Sequence, residues 1–403
     1  MPGIVHTVKL SRVAASGAPY KALLMATVAV VIVACGSSLS GDSGPRAGTS
    51  ETPVPGGSVD HTAEATATLA LKGLTGWANS EPFTIGERTS GGDVVLVDFW
   101  TYTCVNCIRT FPFLAQWHDK YADAGLTILG VHTPEFEFEK AREGVLKALD
   151  RFGLEYPVAQ DNARQTWNAF ENHAWPAKYL FNSRGELVYE HIGEGDYRET
   201  EEEIRSALID AGHDISAIAI GSNGGPSEDE AAYYLTEELY AGYSKVYGLG
   251  GSNSIAQVEY YHGPDRVVDY VDDAEFHHFN KIYLRGLWLN EKDAIVHARV
   301  TTGLEDYLYA QVFARSANVV LEHRGDAPID VYVELDGAPV PRNGAGPDIV
   351  YDKTGASLLH VDESRLYALL EMPEFGQHEL VLRSNSDQFA VSSYTFGNYL
   401  RGP

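Results

Sequence analysis

Only three cysteines occur in 403 residues. Three are too few for a disulfide-stapled scaffold, and an odd number leaves one thiol with a separate task. Basic residues are also scarce: 30 Lys and Arg stand against 56 Asp and Glu, a formal charge of −26. That balance excludes nucleic acid as a partner, because binding a phosphate backbone is driven by Lys and Arg displacing counterions. The 39 glycines and 18 prolines are near average, which excludes collagen-like and wholly disordered chains. Gly248–Asn253 is glycine-rich, yet it follows a helical pattern rather than a strand and so lacks the context of a nucleotide fingerprint. No internal repeat is visible. What remains is a chain of globular composition, long enough for two or three domains.

The first cysteine explains the N-terminal segment. Lys9, Arg12 and Lys21 precede an apolar run from Ala22 to Ala34, which ends at Cys35. Thirteen residues are short of the ~20 that cross a bilayer. A basic start, an apolar stretch of this length and small residues at its end describe a secretory signal peptide over 1–34. Ile32-Val33-Ala34-Cys35 resembles a bacterial lipobox, which implies lipidation of Cys35 and an extracytoplasmic, lipid-anchored protein. Residues 35–66 are dominated by Gly, Ser, Thr and Pro and read as a flexible tether.

From 67 to 213 short apolar runs alternate with helical patterns. Val94–Trp100 and Leu126–Val131 are buried-strand runs separated by a helical stretch over 104–124. Further helices are expected over 136–152, over 166–172 and from Thr200 onward. Asn182-Ser183-Arg184-Gly185 between two apolar runs signals a hairpin. This alternation predicts an α/β layer fold with at least one parallel strand pair. The linker is placed at 214–230, most clearly in Gly221–Glu230. Over 231–403 one helix is expected at 231–247, carrying Tyr240, Tyr243 and Tyr247 on one packing face. Strand runs follow at 294–301, 308–314, 317–322, 366–371, 379–383 and 388–396, with a clean alternation over 330–335 that ends in Asp336-Gly337. These predict an antiparallel β-sandwich. His277 and His278 are adjacent and would face opposite sides of a strand, a poor metal pair.

Cys104 and Cys107 are spaced Cys-Val-Asn-Cys, directly after a strand and at the opening of a helix. A thiol at a helix N-terminus meets unpaired N–H groups and the positive end of the dipole, which stabilise a thiolate. The second thiol, three residues on, shares the helix face and is placed to resolve a mixed disulfide. No second cysteine pair exists for a structural zinc site. Ile108 stands where covalent haem attachment needs a histidine. Neither a metal nor a cofactor motif is present, so reducing equivalents must come from a partner. A thiol–disulfide exchange site is the reading that fits.

VVLVDFWTYTCVNC, residues 94–107, resembles the thioredoxin superfamily, in particular the extracytoplasmic TlpA-like redoxins. Asp98 falls where that family places a buried acid, Pro112 where its active-site helix carries a proline, and Pro176 where its cis-proline precedes a strand. Thr103 departs from the family, which usually has Trp there. GVHTPEF (130–136), YPVAQDN (156–162), HAWPAKYLF (173–181) and GEGDY (193–197) resemble the C-terminal part of DipZ proteins, where a redoxin is joined to a β-sandwich resembling a jelly-roll carbohydrate-binding module. The resemblance implies Cys104 as nucleophile, Cys107 as resolving thiol, Asp98 as general base and Pro176 as part of the docking edge. Trp100, Tyr102 and Trp175 are candidates to line a substrate groove, and Arg109 and His132 to tune the thiols; buried core roles compete for all five. The resemblance further implies protein disulfides as substrates, a transmembrane electron donor of the CcdA/DsbD type, and carbohydrate as a candidate ligand of the sandwich, with Trp288 and the tyrosines as stacking residues. The uncharged Val105-Asn106 between the cysteines favours the reductase direction. The competing reading is a cell-surface binding lipoprotein whose redoxin is vestigial.

Overall fold

The computed structural model describes residues 70–221, 235–247 and 251–398. The signal peptide, Cys35, the tether and most of the expected linker lie outside these residues. No helix among the described residues is long and apolar enough to cross a membrane.

The first sheet has six strands: β1 (Thr75–Ala78), β2 (Val94–Trp100), β3 (Leu126–His132), β4 (Val158–Gln160), β5 (Ala177–Phe181) and β6 (Leu187–Ile192), in the order β1-β4-β3-β2-β5-β6. β2, β3 and β4 run parallel, while β1, β5 and β6 are antiparallel to their neighbours. Every residue of β2 is buried, because the sheet is covered on both faces. Side chains alternate across a strand, so Val94, Leu96 and Trp100 enter one core and Val95, Val97 and Phe99 the other. The first core is closed by helices α2 (Val105–Tyr121), α3 (Arg142–Phe152) and α5 (Tyr197–Asp210). The second is closed by α1 (Ile85–Ser90) and α4 (Gln165–Ala169). The expected β5–β6 hairpin is present. Asn182 Oδ1 accepts the N–H groups of Arg184 and Glu186 at 2.9 and 3.1 Å, and Gly185 turns the chain at φ +77°.

Residues 214–221 do not act as linker. Ile215 is buried in the first core, and the Gly221 N–H donates to both carboxylate oxygens of Glu201. The helix expected over 231–247 is corrected within its described part. Leu239–Tyr240 is strand β7, paired with Ser393 and Tyr394, and only Tyr243–Val246 forms a one-turn helix, α6. Gly242 lies so close to the Asp293 backbone that a Cβ would sit 2.3 Å from its carbonyl carbon. Sheet pairing and this close approach override the helical spacing of the three tyrosines.

The C-terminal half is one continuous antiparallel sheet of eleven strands: β7, β8 (Arg266–Tyr270), β9 (Ile282–Asn290), β10 (Ile295–His297), β11 (Tyr307–Glu322), β12 (Ile329–Leu335), β13 (Ala338–Pro339), β14 (Val350–Tyr351), β15 (Ser357–Val361), β16 (Arg365–Arg383) and β17 (Ala390–Gly397). It folds over a large apolar core as a sandwich. Four expected strands merge into two. β11 runs unbroken through 308–322 and β16 through 366–383; their pairing shifts register between Ala314 and Ser316, where residues 372–375 of β16 have no partner in β11. β11 accordingly pairs with β9 at 307–310 and with β17 at 316–322. Asp336 and Gly337, at φ +52° and +76°, make the expected tight turn between β12 and β13.

Gly286 in β9 sits at φ +96° directly against Asp306; a Cβ there would lie 2.0 Å from the carboxyl carbon. The space is needed because Asp306 binds Arg299 through both oxygens, at 2.6 and 2.7 Å, and His297 Nε2 at 2.8 Å.

Candidate active site

Cys104 is the N-cap residue of α2. Its backbone is extended, and its Sγ accepts the Cys107 N–H at 3.3 Å, so the sulfur faces the orphan N–H groups of the first turn. Cys104 is half-buried and Cys107 fully buried. Burial, followed by the hydrogen bond with Cys104, pushes the Cys107 thiol well above the usual range. One thiol is thus partly open to solvent, and the other lies buried behind it with its protonated form favoured.

Asp98 shares the face of Leu96 and Trp100, which points toward α2, and is completely buried. Neither of its carboxylate oxygens finds a hydrogen-bond partner, and burial lifts its pKa to about 7. The β2–β5 register places Lys178 opposite Asp98, with Nζ 4.0 Å from Oδ1. Lys178 is itself fully buried, and its pKa is lowered by that burial. Its positive charge offsets part of the cost to Asp98. Asp98 in turn raises the Cys107 pKa, so the acid and the resolving thiol sense one another's charge.

The Trp175–Pro176 peptide is cis. Trp175 is half-buried, and its indole N–H donates to the Thr133 carbonyl at 3.1 Å. Arg164 stands over its ring at 5.0 Å. The other two aromatic candidates are placed differently. Trp100 is 0 % and Tyr102 4 % exposed, so both belong to the core and neither reaches a substrate. Tyr102 stacks on His132 at 5.4 Å. Burial drops the His132 pKa to about 3, so this histidine is neutral and does not act on the thiols as a cation. Arg109 is engaged by Glu194 at 3.3 Å and by Asn106 at 3.1 Å. Pro112 lies inside α2.

Two residues of the site went unread in the sequence. Lys178 carried a signal: a lysine within an otherwise apolar strand, which the β2–β5 register sets opposite Asp98. Glu139 carried none. It sits in an acidic run that reads as a solvated face, yet it is fully buried under the loop that precedes Cys104.

In the sandwich, Trp288 is 0 % exposed, and no described tyrosine or tryptophan of that half is exposed. His277 lies in a loop rather than a strand and bonds Asp272 at 2.9 Å. Among the described residues no three metal-ligating side chains come together.

A family model described as Redoxin matches residues 59–208, and one described as a thioredoxin-like C-terminal domain matches 236–397. Residues 59–208 thus carry a thioredoxin-like redoxin domain, and 236–397 the C-terminal domain that goes with it. Protein DipZ of Mycobacterium tuberculosis is 38 % identical over 303 residues, which cover 73 % of this chain and 41 % of DipZ. The chain thus spans about two-fifths of that relative's length. The thiol-disulfide oxidoreductase YkuV of Bacillus subtilis is 26 % identical over 35 % of this chain and 93 % of its own. Among solved structures, a thiol-disulfide isomerase from Corynebacterium glutamicum is 22 % identical, with a TM-score of 0.31, over 34 % of this chain and 92 % of that one.

Proposed function

We propose that this redoxin is an extracytoplasmic, lipid-anchored thiol–disulfide oxidoreductase that reduces protein disulfides. The observation that carries the reading is the asymmetric pair: Cys104 half-exposed at the cap of α2, and Cys107 buried behind it beside Asp98. The thiolate of Cys104 attacks a substrate disulfide, forming a mixed disulfide and expelling one substrate thiolate, which takes a proton from water. The Asp98 carboxylate then accepts the Cys107 proton. The Cys107 sulfur attacks Cys104 Sγ, the second substrate thiol leaves, and the pair is oxidised to a disulfide by two electrons. A dithiol donor must restore it, and a transmembrane carrier of the CcdA/DsbD type fits the lipidation signal at Cys35. Trp175 and the backbone before Pro176 form the docking edge. Carbohydrate as a ligand of the sandwich gains no support from the described aromatics, which offer no exposed tyrosine or tryptophan.

Insulin-disulfide reduction by the soluble part, from residue 67, tests the reading. A folded protein without activity would return the competing binding-protein reading. The reduction potential tests the direction. A value near about −270 mV is that of a thioredoxin-like reductant, and one near about −120 mV is that of a strong oxidant.

A further inference from the structure

The loop Thr101–Cys104 carries the attacking thiol, and its geometry is fixed from beneath. Oε1 of buried Glu139 accepts the hydroxyls of Thr101 at 2.5 Å and Thr103 at 2.6 Å. Its Oε2 accepts the backbone N–H groups of Glu135 at 2.6 Å and Phe136 at 2.9 Å. One carboxylate with four donors therefore ties the cysteine loop to the segment 133–139. That segment also holds the docking edge, since the Thr133 carbonyl receives the Trp175 indole N–H and the Pro134 carbonyl receives Arg164.

The same segment is gripped from the other side by the sandwich. Oε1 of Glu135 accepts the Tyr240 hydroxyl at 2.9 Å and the Lys245 ammonium at 2.8 Å. The Glu135 side chain is only 8 % exposed, so this contact is largely sheltered from solvent screening. Lys245 also stands 5.9 Å from the centre of the Trp175 ring. Nearby, the Glu137 N–H donates to Asp293 of the sandwich at 3.0 Å. Thiol exchange itself calls on none of these groups.

We propose that the sandwich positions the redox centre: Tyr240 and Lys245 hold Glu135, and Glu139 passes that constraint to Thr101 and Thr103, fixing Cys104 and the Trp175 edge together. Glu139, Tyr240 and Lys245 are positioning residues. None touches a sulfur, and each acts through the 133–139 segment. The inference rests on the thiol-exchange reading of Cys104 and Cys107, and it gives the C-terminal domain a part in that chemistry.

The test is a double-mutant cycle in the chain from residue 67, with both domains present. One arm is Tyr240→Phe with Lys245→Met, and the other is Thr103→Val. Two quantities are read: the equilibrium constant of the Cys104–Cys107 pair against a reference dithiol, and the pH profile of Cys104 alkylation. Each arm should move the equilibrium constant by threefold or more. The combination should fall short of the product of the two, because both arms cut one connection. Thr103→Ser, which keeps the hydroxyl, should restore the parent values, and Glu139→Gln should reproduce the Thr103→Val profile. Far-ultraviolet circular dichroism confirms that each variant is folded. Independent effects of the two arms, or an unchanged equilibrium constant and alkylation profile in a folded Tyr240→Phe/Lys245→Met variant, would overturn the proposal. These readouts need only the two cysteines and no protein substrate. Failure of insulin reduction by the parent would therefore count against the functional reading and leave this one to be judged separately.

Discussion

Asp98 and Cys107 are two buried acids that repel one another only when both are ionised, so the loss of a second proton is disfavoured. With its pKa lifted to about 7, Asp98 is divided between acid and carboxylate at neutral pH, as suits a group that must accept a proton and return it. Asp98→Asn should slow resolution of the mixed disulfide and leave the first attack by Cys104 nearly intact. In the parent the resolving rate should rise with pH through about 7, and the variant should lose that rise. Stopped-flow kinetics with a disulfide substrate separate the two steps, and equal slowing of both would remove Asp98 from the mechanism. Stability follows the same proton. Between the ~3.9 of a free Asp and about 7 the unfolded chain releases the proton while the folded chain keeps it, so stability falls as pH rises through that window. The loss from pH 5 to pH 8 should be on the order of 2–3 kcal/mol by denaturant unfolding, and Asp98→Asn should flatten it. Lys178, lowered by burial, contributes the opposite slope at higher pH and stays in both proteins. The thiols divide in the same way. Cys104→Ser should abolish exchange, whereas Cys107→Ser should accumulate mixed disulfides visible on non-reducing gels; traps from Cys104→Ser instead would reverse the assignment.

At the scale of elements, legibility depended on whether a signal was local. The run 94–100, the helix after it and the hairpin at 182–185 all announced themselves within a few residues, and all are present. The acid of the site was legible because Asp98 interrupts an apolar strand. Glu139 was not, because its role is made by distant partners, Thr101 and Thr103, more than 30 residues away in sequence. The long strands misled for a related reason. The apparent gap between 371 and 379 is where the middle of β16 is exposed, and that between 314 and 317 is where the pairing of β11 shifts register, so a break in the apolar pattern there looks like an end. Gly286 gives an element-scale test. Gly286→Ala adds a methyl group where Asp306 already lies and imposes an L side chain at φ +96°. Displacing Asp306 strips Arg299 and buried His297 of their shared acceptor, so destabilisation of about 3–5 kcal/mol is expected. Thermal unfolding should show a clear drop in midpoint, and an unchanged midpoint would mean that the backbone relaxes around the new methyl.

For the whole molecule, the two halves share apolar surface as well as polar contacts. Val320 and Leu366 of the sandwich belong to the same cluster as Trp100, Cys107 and Phe111, and Arg151 pairs with Glu363 across the join. Under the proposed lipidation of Cys35, the flexible tether of 35–66 keeps the redox centre within reach of the membrane surface but at no fixed distance from it. That arrangement depends on Cys35. Cys35→Ala should leave the protein unprocessed or release it from the detergent phase on phase partitioning. Processed protein still found in the membrane fraction would refute the lipid anchor.

The length of β11, which pairs with β9 at one end and with β17 at the other, bears on how that domain breathes. In a sandwich of separate strands, one layer can open while the other stays closed, and its amides then exchange with solvent on their own schedule. Here the hydrogen bonds of Tyr307–Ala310 to β9 and those of Ser316–Glu322 to β17 are strung on one strand. Freeing either end of β11 tugs on the other along one continuous strand. Hydrogen–deuterium exchange should therefore report one common protection level along 307–322, with both ends released in the same opening event.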